Sequence, residues 1–249
     1  MLERSLVESR AQAQRLIMAG RVYCAERRID KPGDCLDVAA DISVREGPRF
    51  VSRGGDKLEG ALGDLGVRIE GRICADIGAS TGGFTDCLLQ HGAVRVYTID
   101  VGRAQLADKL RRDARVVCRE GVNARHLSAA DFAEVIDLIV IDVSFIGLGH
   151  LAQSLAAILP ANGELLALIK PQFEVGREQA RRSKGVICDP IVRGATIDKT
   201  KNVLAEAGFQ LIASADSRVH GPKGNIEHFV HARRRPERPV DPRKSTATS

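Results

Sequence analysis

Residues 76–84 read DIGASTGGF, and their first two residues are the end of the apolar segment ICADI at residues 73–77. The apolar segment predicts a buried β-strand, and the glycines after it predict a tight turn into a helix. In open α/β sheets, ligands bind at the carboxyl ends of the strands, where a glycine turn and a helix N-terminus bring backbone amides close to them. A nucleotide-type ligand is therefore expected here. In the alternative interpretation, the glycines only make a tight turn and Asp76 caps the helix.

Apolar strand candidates alternate with amphipathic helices from residue 72 onward. The strand candidates are ICADI, VRVYTID, RVVCRE, IDLIVID and ELLALIK. This alternation predicts an α/β fold with a mostly parallel sheet covered on both faces. Two further candidates, FQLIASADS and NIEHFVHAR, follow a helical stretch near residues 190–207 and are expected to close one edge of the sheet.

Composition excludes several classes of protein. No apolar run approaches the roughly 20 residues that span a bilayer, and the first residues lack a signal-peptide core, so a cytoplasmic protein is expected. The six cysteines are far apart and form no CxxC pair, which favours reduced core residues over disulfides or a zinc site. The net charge of +5 comes mostly from residues 233–249, so charge alone does not indicate nucleic-acid binding. That tail is either a solvated segment or an RNA-binding arm.

Acidic residues follow the first two strands of the predicted sheet. Asp76, inside the end of the first strand, would repel a pyrophosphate but suits a cationic amino-acid group. Asp100 ends the second strand, where a carboxylate can accept hydrogen bonds from both hydroxyls of a ribose. This pair favours S-adenosyl-L-methionine over NAD as the cofactor. The predicted cofactor-binding residues are Asp76, Gly78, Ser80, Gly82, Gly83, Asp100 and Asn123.

The fourth and fifth strands end in side chains of opposite charge, Asp142 and Lys170. Either one alone is commonly a solvated cap, but together at the ligand edge of the sheet they favour a functional site. The loop after the fourth strand reads Asp142-Val143-Ser144-Phe145, which lacks the Pro-Pro pair typical of methylation at exocyclic base nitrogens. No cysteine follows either strand to act as the nucleophile for a pyrimidine carbon. A sugar hydroxyl, by contrast, is a poor nucleophile that needs its proton held or removed, and a lysine can do this.

Five motifs in this order resemble the TlyA family of ribosomal RNA 2′-O-methyltransferases, whose members have also been labelled haemolysin-like. The motifs are SRGGDKL at 52–58, DIGASTGGFTD at 76–86, IDVSFI at 141–146, IKPQFEVG at 169–176 and GPKGNIEHF at 221–229. The resemblance implies a Rossmann-like class I methyltransferase with a mostly parallel seven-stranded sheet, preceded by a small α/β RNA-binding domain. The expected divisions are residues 1–46 for the RNA-binding domain, 47–233 for the FtsJ-like domain and 234–249 for a basic, disordered tail.

The resemblance also implies a catalytic set of Lys57, Asp142, Lys170 and Glu227, of which the residue pattern alone selects only Asp142 and Lys170. No metal is expected. The implied partner is ribosomal RNA or a ribosomal subunit, with a cytidine ribose as the acceptor, no membrane and no obligate protein partner. Two other functions stay open: a catalytically inactive RNA-binding or ribosome-assembly factor, and a haemolysin-type protein that damages membranes.

The N-terminal module departs from the pattern of its family. It resembles the small RNA-binding fold shared with a ribosomal protein and pseudouridine synthases, through SRAQAQRLIMAGRVY and the KPGD turn. Its first helix is short, and Ala25-Glu26 stands where an Asn-Gly turn is expected. Ser9 and Gln12 predict a reciprocal capping box at the start of the next helix.

Overall fold

The computed structural model describes residues 1–18, 20–45, 47–144, 146–176, 183, 185–221 and 223–236. These residues form two compact units that divide between Arg49 and Phe50. Most of the predicted basic tail, residues 237–249, lies outside the described residues.

The first unit combines one helix with a small antiparallel sheet. Its elements are α1 (Arg10–Met18), β1 (Val22–Cys24), β2 (Arg27–Arg28) and β3 (Ile42–Val44). The central strand is β1, which pairs with both β2 and β3. Ile17, Val22 and Ile29 form a small apolar core, as expected for a module that contains few apolar side chains.

The cap at the start of α1 differs from the predicted one. The Ser9 hydroxyl accepts a hydrogen bond from the backbone amide of Gln12 at 3.1 Å, as predicted. The side-chain oxygen of Gln12, however, accepts from the backbone amide of Glu8 at 2.8 Å, one residue before Ser9. The return bond of the box is therefore displaced by one residue, and the cap still satisfies two backbone donors.

The second unit is built on a seven-stranded, mostly parallel sheet, which confirms the predicted fold class. Its strands are β4 (Ile73–Ile77), β5 (Arg95–Asp100), β6 (Val116–Glu120), β7 (Leu138–Ile141), β8 (Glu164–Ile169), β9 (Phe209–Asp216) and β10 (His228–Arg234). The spatial order is β6-β5-β4-β7-β8-β10-β9, in which β10 alone runs antiparallel to its two neighbours. The last two strands therefore close one edge, as the sequence predicted.

Helices cover both faces of this sheet. They are α2 (Arg53–Leu65), α3 (Gly83–Gln90), α4 (Asp108–Arg111), α5 (Ala152–Ile158), α6 (Pro171–Glu174) and α7 (Pro190–Glu206). Along β7, Leu138 and Val140 face one apolar core together with residues of α2 and α3. Ile139 and Ile141 face the other core, together with residues of α5 and α7. Because successive side chains of a strand point to opposite faces, burial on both sides requires the continuous apolar run that β7 has.

The carboxyl ends of the parallel strands lie at one edge of the sheet. Asp100 is the last residue of β5, while Asp142 and Lys170 follow β7 and β8 immediately. Pro171 does more than end a strand, because it occupies the first turn of α6 with Lys170 as the N-cap residue. Among the described residues, no helix is long and apolar enough to cross a membrane.

Candidate active site

The glycine turn after β4 brings two strand ends into close contact. Gly78 has a φ of 84°, and a Cβ at this position would lie 2.6 Å from the carbonyl oxygen of Asp142. Only glycine fits this backbone conformation and this space without strain. At Gly83, the first residue of α3, a Cβ would collide with Ser52 at the start of α2. At Gly82 it would collide with Leu110 of α4, so this glycine serves helix packing.

Asp76 lies behind this turn and does not line either of the cavities described below. Its carboxylate is fully buried, and Oδ2 accepts a hydrogen bond from the Thr85 hydroxyl at 2.6 Å. Oδ1 has no hydrogen-bond partner within the described part of the chain. Burial raises the pKa of Asp76 to about 7, against the opposing effect of the Thr85 hydrogen bond. An unpartnered, buried carboxylate oxygen is a suitable acceptor for a cationic ligand group.

A cavity of about 390 Å³ lies at the carboxyl ends of β4 and β5. Four of the predicted cofactor residues line it: Gly78, Ser80, Asp100 and Asn123. Its remaining wall is mostly apolar and includes Ile99, Val122 and Leu151. An apolar slot with a few fixed polar groups is the usual form of a site for a nucleoside-sized ligand.

Two side chains in this cavity are oriented by backbone amides. Asp100 accepts hydrogen bonds from the amides of Ser80 at 2.8 Å and Gly102 at 2.7 Å, one on each carboxylate oxygen. Each oxygen keeps acceptor capacity for a ribose hydroxyl, since a carboxylate offers about four lone-pair positions. Asn123 accepts from the amide of Arg125 at 3.1 Å, which leaves its NH₂ group as the donor. The cavity therefore fits the nucleoside part of S-adenosyl-L-methionine.

Glu120 supports this cavity from the end of β6, and sequence reasoning missed it. Its carboxylate accepts hydrogen bonds from the backbone amides of Ala104, Gln105 and Leu106 and pairs with Arg111. These bonds, with the largest effect from the Ala104 amide, lower the pKa of Glu120 to about 2. The carboxylate thereby fixes the loop after Asp100, from which Gln105 lines the cavity.

A second, more polar cavity of about 280 Å³ adjoins the first. The two share the lining residues Gly78, Ser80, Asp142 and Ser144. Lys57 and Lys170 line only the second cavity, and Arg53 contributes a third cationic side chain. A polar, cationic cavity beside a nucleoside-sized slot suits a phosphate-bearing acceptor.

Lys170 and Asp142 meet in this second cavity, as their positions at neighbouring strand ends predicted. The two side chains form an ion pair, and Lys170 Nζ also donates a hydrogen bond to Ser144 Oγ at 3.0 Å. Lys170 is buried, with 9% of its surface exposed. A buried ammonium needs such partners to offset its desolvation.

The remaining two residues of the predicted catalytic set form a second buried ion pair. Lys57 Nζ lies 2.5 Å from Glu227 Oε2, and Glu227 is 1% exposed. Glu227 Oε1 accepts a hydrogen bond from Gln172 Nε2 at 3.2 Å. Lys57 lines the cavity, whereas Glu227 does not and holds Lys57 from behind. Ser144 and Gln172 were not selected from the sequence, although each lies two residues after a predicted site residue.

The two histidines of β10 take separate acidic partners. His228 Nδ1 pairs with Asp216 at 2.6 Å, and His231 Nε2 pairs with Glu164 at 2.8 Å. Burial lowers the pKa of His228, against the effect of Asp216. Each histidine therefore has a structural role in the sheet.

Comparisons with known proteins agree with this geometry. Residues 50–234 match the FtsJ-like methyltransferase family, and residues 1–42 match the S4 domain. YqxC of Bacillus subtilis, which carries the name of an rRNA methyltransferase, is 44% identical over 233 residues, 93% of this chain and 83% of that protein. The 16S/23S rRNA (cytidine-2′-O)-methyltransferase TlyA of Mycobacterium tuberculosis is 39% identical over 240 residues, 96% of this chain and 89% of the relative. Hemolysin A of Brachyspira hyodysenteriae is 40% identical over 225 residues, 90% and 93% of the two chains.

Proposed function

Because the chain belongs to the TlyA group of FtsJ-like, S-adenosylmethionine-dependent methyltransferases, we propose that it methylates a ribose 2′-hydroxyl of ribosomal RNA, at a cytidine. The observation that carries the proposal is the pair of buried ion pairs, Lys170–Asp142 and Lys57–Glu227, at a polar cavity that shares a wall with the cofactor cavity.

The substrate assignment is supported by the relatives and by the first unit of the chain. The TlyA relative is named for methylation of cytidine ribose in ribosomal RNA. The S4 match at residues 1–42 adds a module of an RNA-binding type. We propose that the enzyme acts on ribosomal subunits or on free ribosomal RNA in the cytoplasm, where both occur.

We assign tasks in cofactor binding to four of the predicted residues, Asp76, Gly78, Asp100 and Asn123. S-Adenosylmethionine, when bound, supplies a methyl group on a positively charged sulfur that becomes neutral as the methyl leaves. Asp100 would accept hydrogen bonds from the ribose hydroxyls, and the NH₂ group of Asn123 would donate a hydrogen bond to the base. Asp76 would face the ammonium group. Gly78 lets the backbone of the turn approach the ligand closely.

Lys170 is the residue that we place at the reacting hydroxyl. Asp142 and Ser144 fix its Nζ, so the amino group meets the acceptor oxygen with little loss of side-chain entropy. It either donates a hydrogen bond to the 2′-oxygen or takes its proton as the oxygen–carbon bond forms. Lys57, held by Glu227 and Gln172, adds a second fixed cation at the same cavity.

A hydroxyl as the methyl acceptor agrees with the lining of the two cavities, which includes no thiol within the part of the chain that the structure describes. Cys118 lies within β6, where Arg111 donates a hydrogen bond to its sulfur at 3.5 Å. Of the described residues that line the two cavities, none is a cysteine. Methylation at a pyrimidine carbon, which requires such a nucleophile, is therefore disfavoured.

The experiment is transfer of tritiated methyl groups to ribosomal RNA and to isolated subunits, followed by digestion and nucleoside analysis. We expect label in 2′-O-methylcytidine. Label in a methylated base would contradict the proposal.

Two simpler assays separate the alternative functions. Calorimetric titration with S-adenosylmethionine should show one site, whereas no binding would favour an inactive RNA-binding or assembly factor. The name Hemolysin A belongs to one relative, and we expect no release of dye from liposomes by this chain.

A further inference from the structure

Three potential metal ligands converge between α2 and α3, outside both cavities. Glu59 lies in α2, Cys87 lies in α3, and His91 is the C-cap residue of α3. One ligand atom from each residue lies within 4.8 Å of the other two. Glu59 Oε2 is 2.5 Å from His91 Nε2 and 3.7 Å from Cys87 Sγ. A single carboxylate oxygen thus faces both an imidazole nitrogen and a thiol.

The two helices hold these atoms in place before any ligand arrives. Cys87 and His91 are four residues apart, and the His91 amide donates to the Cys87 carbonyl at 3.0 Å, so both side chains lie on one face of α3. The close contact of Gly83 with the start of α2 fixes the spacing of the two helices. The positions of the three donors are therefore set by the backbone.

We propose that Glu59, Cys87 and His91 bind a Zn²⁺ ion or a divalent transition-metal ion of similar softness. Thiolate, imidazole and carboxylate are the three ligand types that Zn²⁺ takes in proteins, and a water molecule completes the tetrahedron. On binding, the metal–sulfur bond replaces the S–H bond of Cys87, and the thiol proton is released to solvent. No oxidant or reductant is required.

Burial and exposure in the group favour a metal over a simple ion pair. Glu59 Oε2 lies 2.5 Å from His91 Nε2 and also accepts a hydrogen bond from the Cys87 thiol at 3.7 Å, so all three donor types already meet at one carboxylate oxygen. Cys87 is fully buried, whereas the side chains of Glu59 and His91 are 30% and 34% exposed. The group is therefore closed on the core side and open to an ion from solvent.

The proposed ion has a structural effect on the active site. It would join α2, which carries Lys57, to α3, which begins at the glycine turn. The scattered cysteines indicated no zinc site, because sequence spacing reveals ligands that are close along the chain. Here Glu59 is on a different helix from the other two, and only the packing of α2 on α3 brings the donors together.

The test is a titration of the chelator-treated full chain with Co²⁺, followed by displacement with Zn²⁺. We expect one Co²⁺ per chain with a thiolate-to-cobalt charge-transfer band. Cys87→Ser should abolish the band, and Cys118→Ser, the matched control, should retain it. Loss of a ligand should weaken Zn²⁺ binding by at least the roughly 10–100-fold caused by loss of an outer-shell partner.

Circular dichroism and binding of S-adenosylhomocysteine check that each variant is folded. If Cys87→Ser does not fold, the partly exposed Glu59→Gln replaces it, with the same expected loss of affinity. The proposal is overturned by a wild-type chain that binds no stoichiometric metal, or by folded Cys87→Ser or Glu59→Gln chains that bind it as tightly as wild type does.

Discussion

Acidification should weaken the binding of S-adenosylhomocysteine, because the carboxylate of Asp76, which we propose faces the ligand's ammonium group, must be ionised to do so. The pKa of Asp76 in the ligand-free chain is about 7, raised by complete burial. The ionised fraction then falls from about 0.9 at pH 8 to about 0.1 at pH 6, and the dissociation constant should rise about 10-fold over that interval. Because burial raises the pKa of Asp76 into this pH range, its carboxyl is mostly protonated at pH 6 and mostly ionised at pH 8, so affinity should fall with acidification.

Calorimetry measures both the affinity for the ligand and the number of protons released on binding. Titrations at pH 7 in buffers of different ionisation enthalpy should show release of about half a proton per ligand bound. In Asp76→Asn, whose amide oxygen can still accept from Thr85, the affinity should be lower and nearly independent of pH between 6 and 8. Wild-type affinity that is constant over this range, with no proton released, would refute the assignment of Asp76 to the ammonium group.

Three further substitutions test the packing and the second cavity. Glu227→Gln leaves Lys57 buried without its carboxylate and should cost about 3–5 kcal/mol of unfolding free energy, measured with urea; a loss below about 1 kcal/mol would contradict a buried pair. Gly78→Ala should cost about 1–3 kcal/mol and abolish cofactor binding, whereas the control Gly63→Ala, in open space on α2, should stabilise the chain by up to about 1 kcal/mol. Ser144→Ala removes a hydrogen bond to the Lys170 ammonium and should lower kcat roughly 10–100-fold, with little change in cofactor affinity; an unchanged kcat would show that Ser144 does not position Lys170.

The strands and their ends could be predicted because their signals are local. Runs of apolar residues mark β4 to β8, and in a parallel sheet all carboxyl ends meet at one edge, so Asp100, Asp142 and Lys170 were placed correctly from their positions alone. Asp76 was placed at the right strand end, but its burial and its bond to Thr85 depend on how α3 packs over the strand. The direction of a side chain at a strand end depends on tertiary packing, which the local sequence does not reveal.

Site residues that contact each other across distant parts of the sequence could not be predicted from the residue pattern alone, because no local sequence pattern marks them. Lys57 and Glu227 are 170 residues apart in sequence, and only the family resemblance selected them. Glu120 reads as an ordinary charged strand end, and its role arises from three amides of a loop that packs against it. Gln172 likewise becomes relevant only when α6 lies beside Glu227.

The most direct test of the central claim is single-turnover methyl transfer to ribosomal RNA by wild type, Lys170→Ala and Lys201→Ala. Lys201 is the matched control, a lysine of α7 that hydrogen-bonds Ser214 and lines neither cavity. We expect 2′-O-methylated nucleoside with wild type and Lys201→Ala, and a rate at least about 100-fold lower with Lys170→Ala, because positioned proton transfer contributes about 10²–10⁴-fold. Near wild-type turnover by a folded, cofactor-binding Lys170→Ala chain would contradict the account.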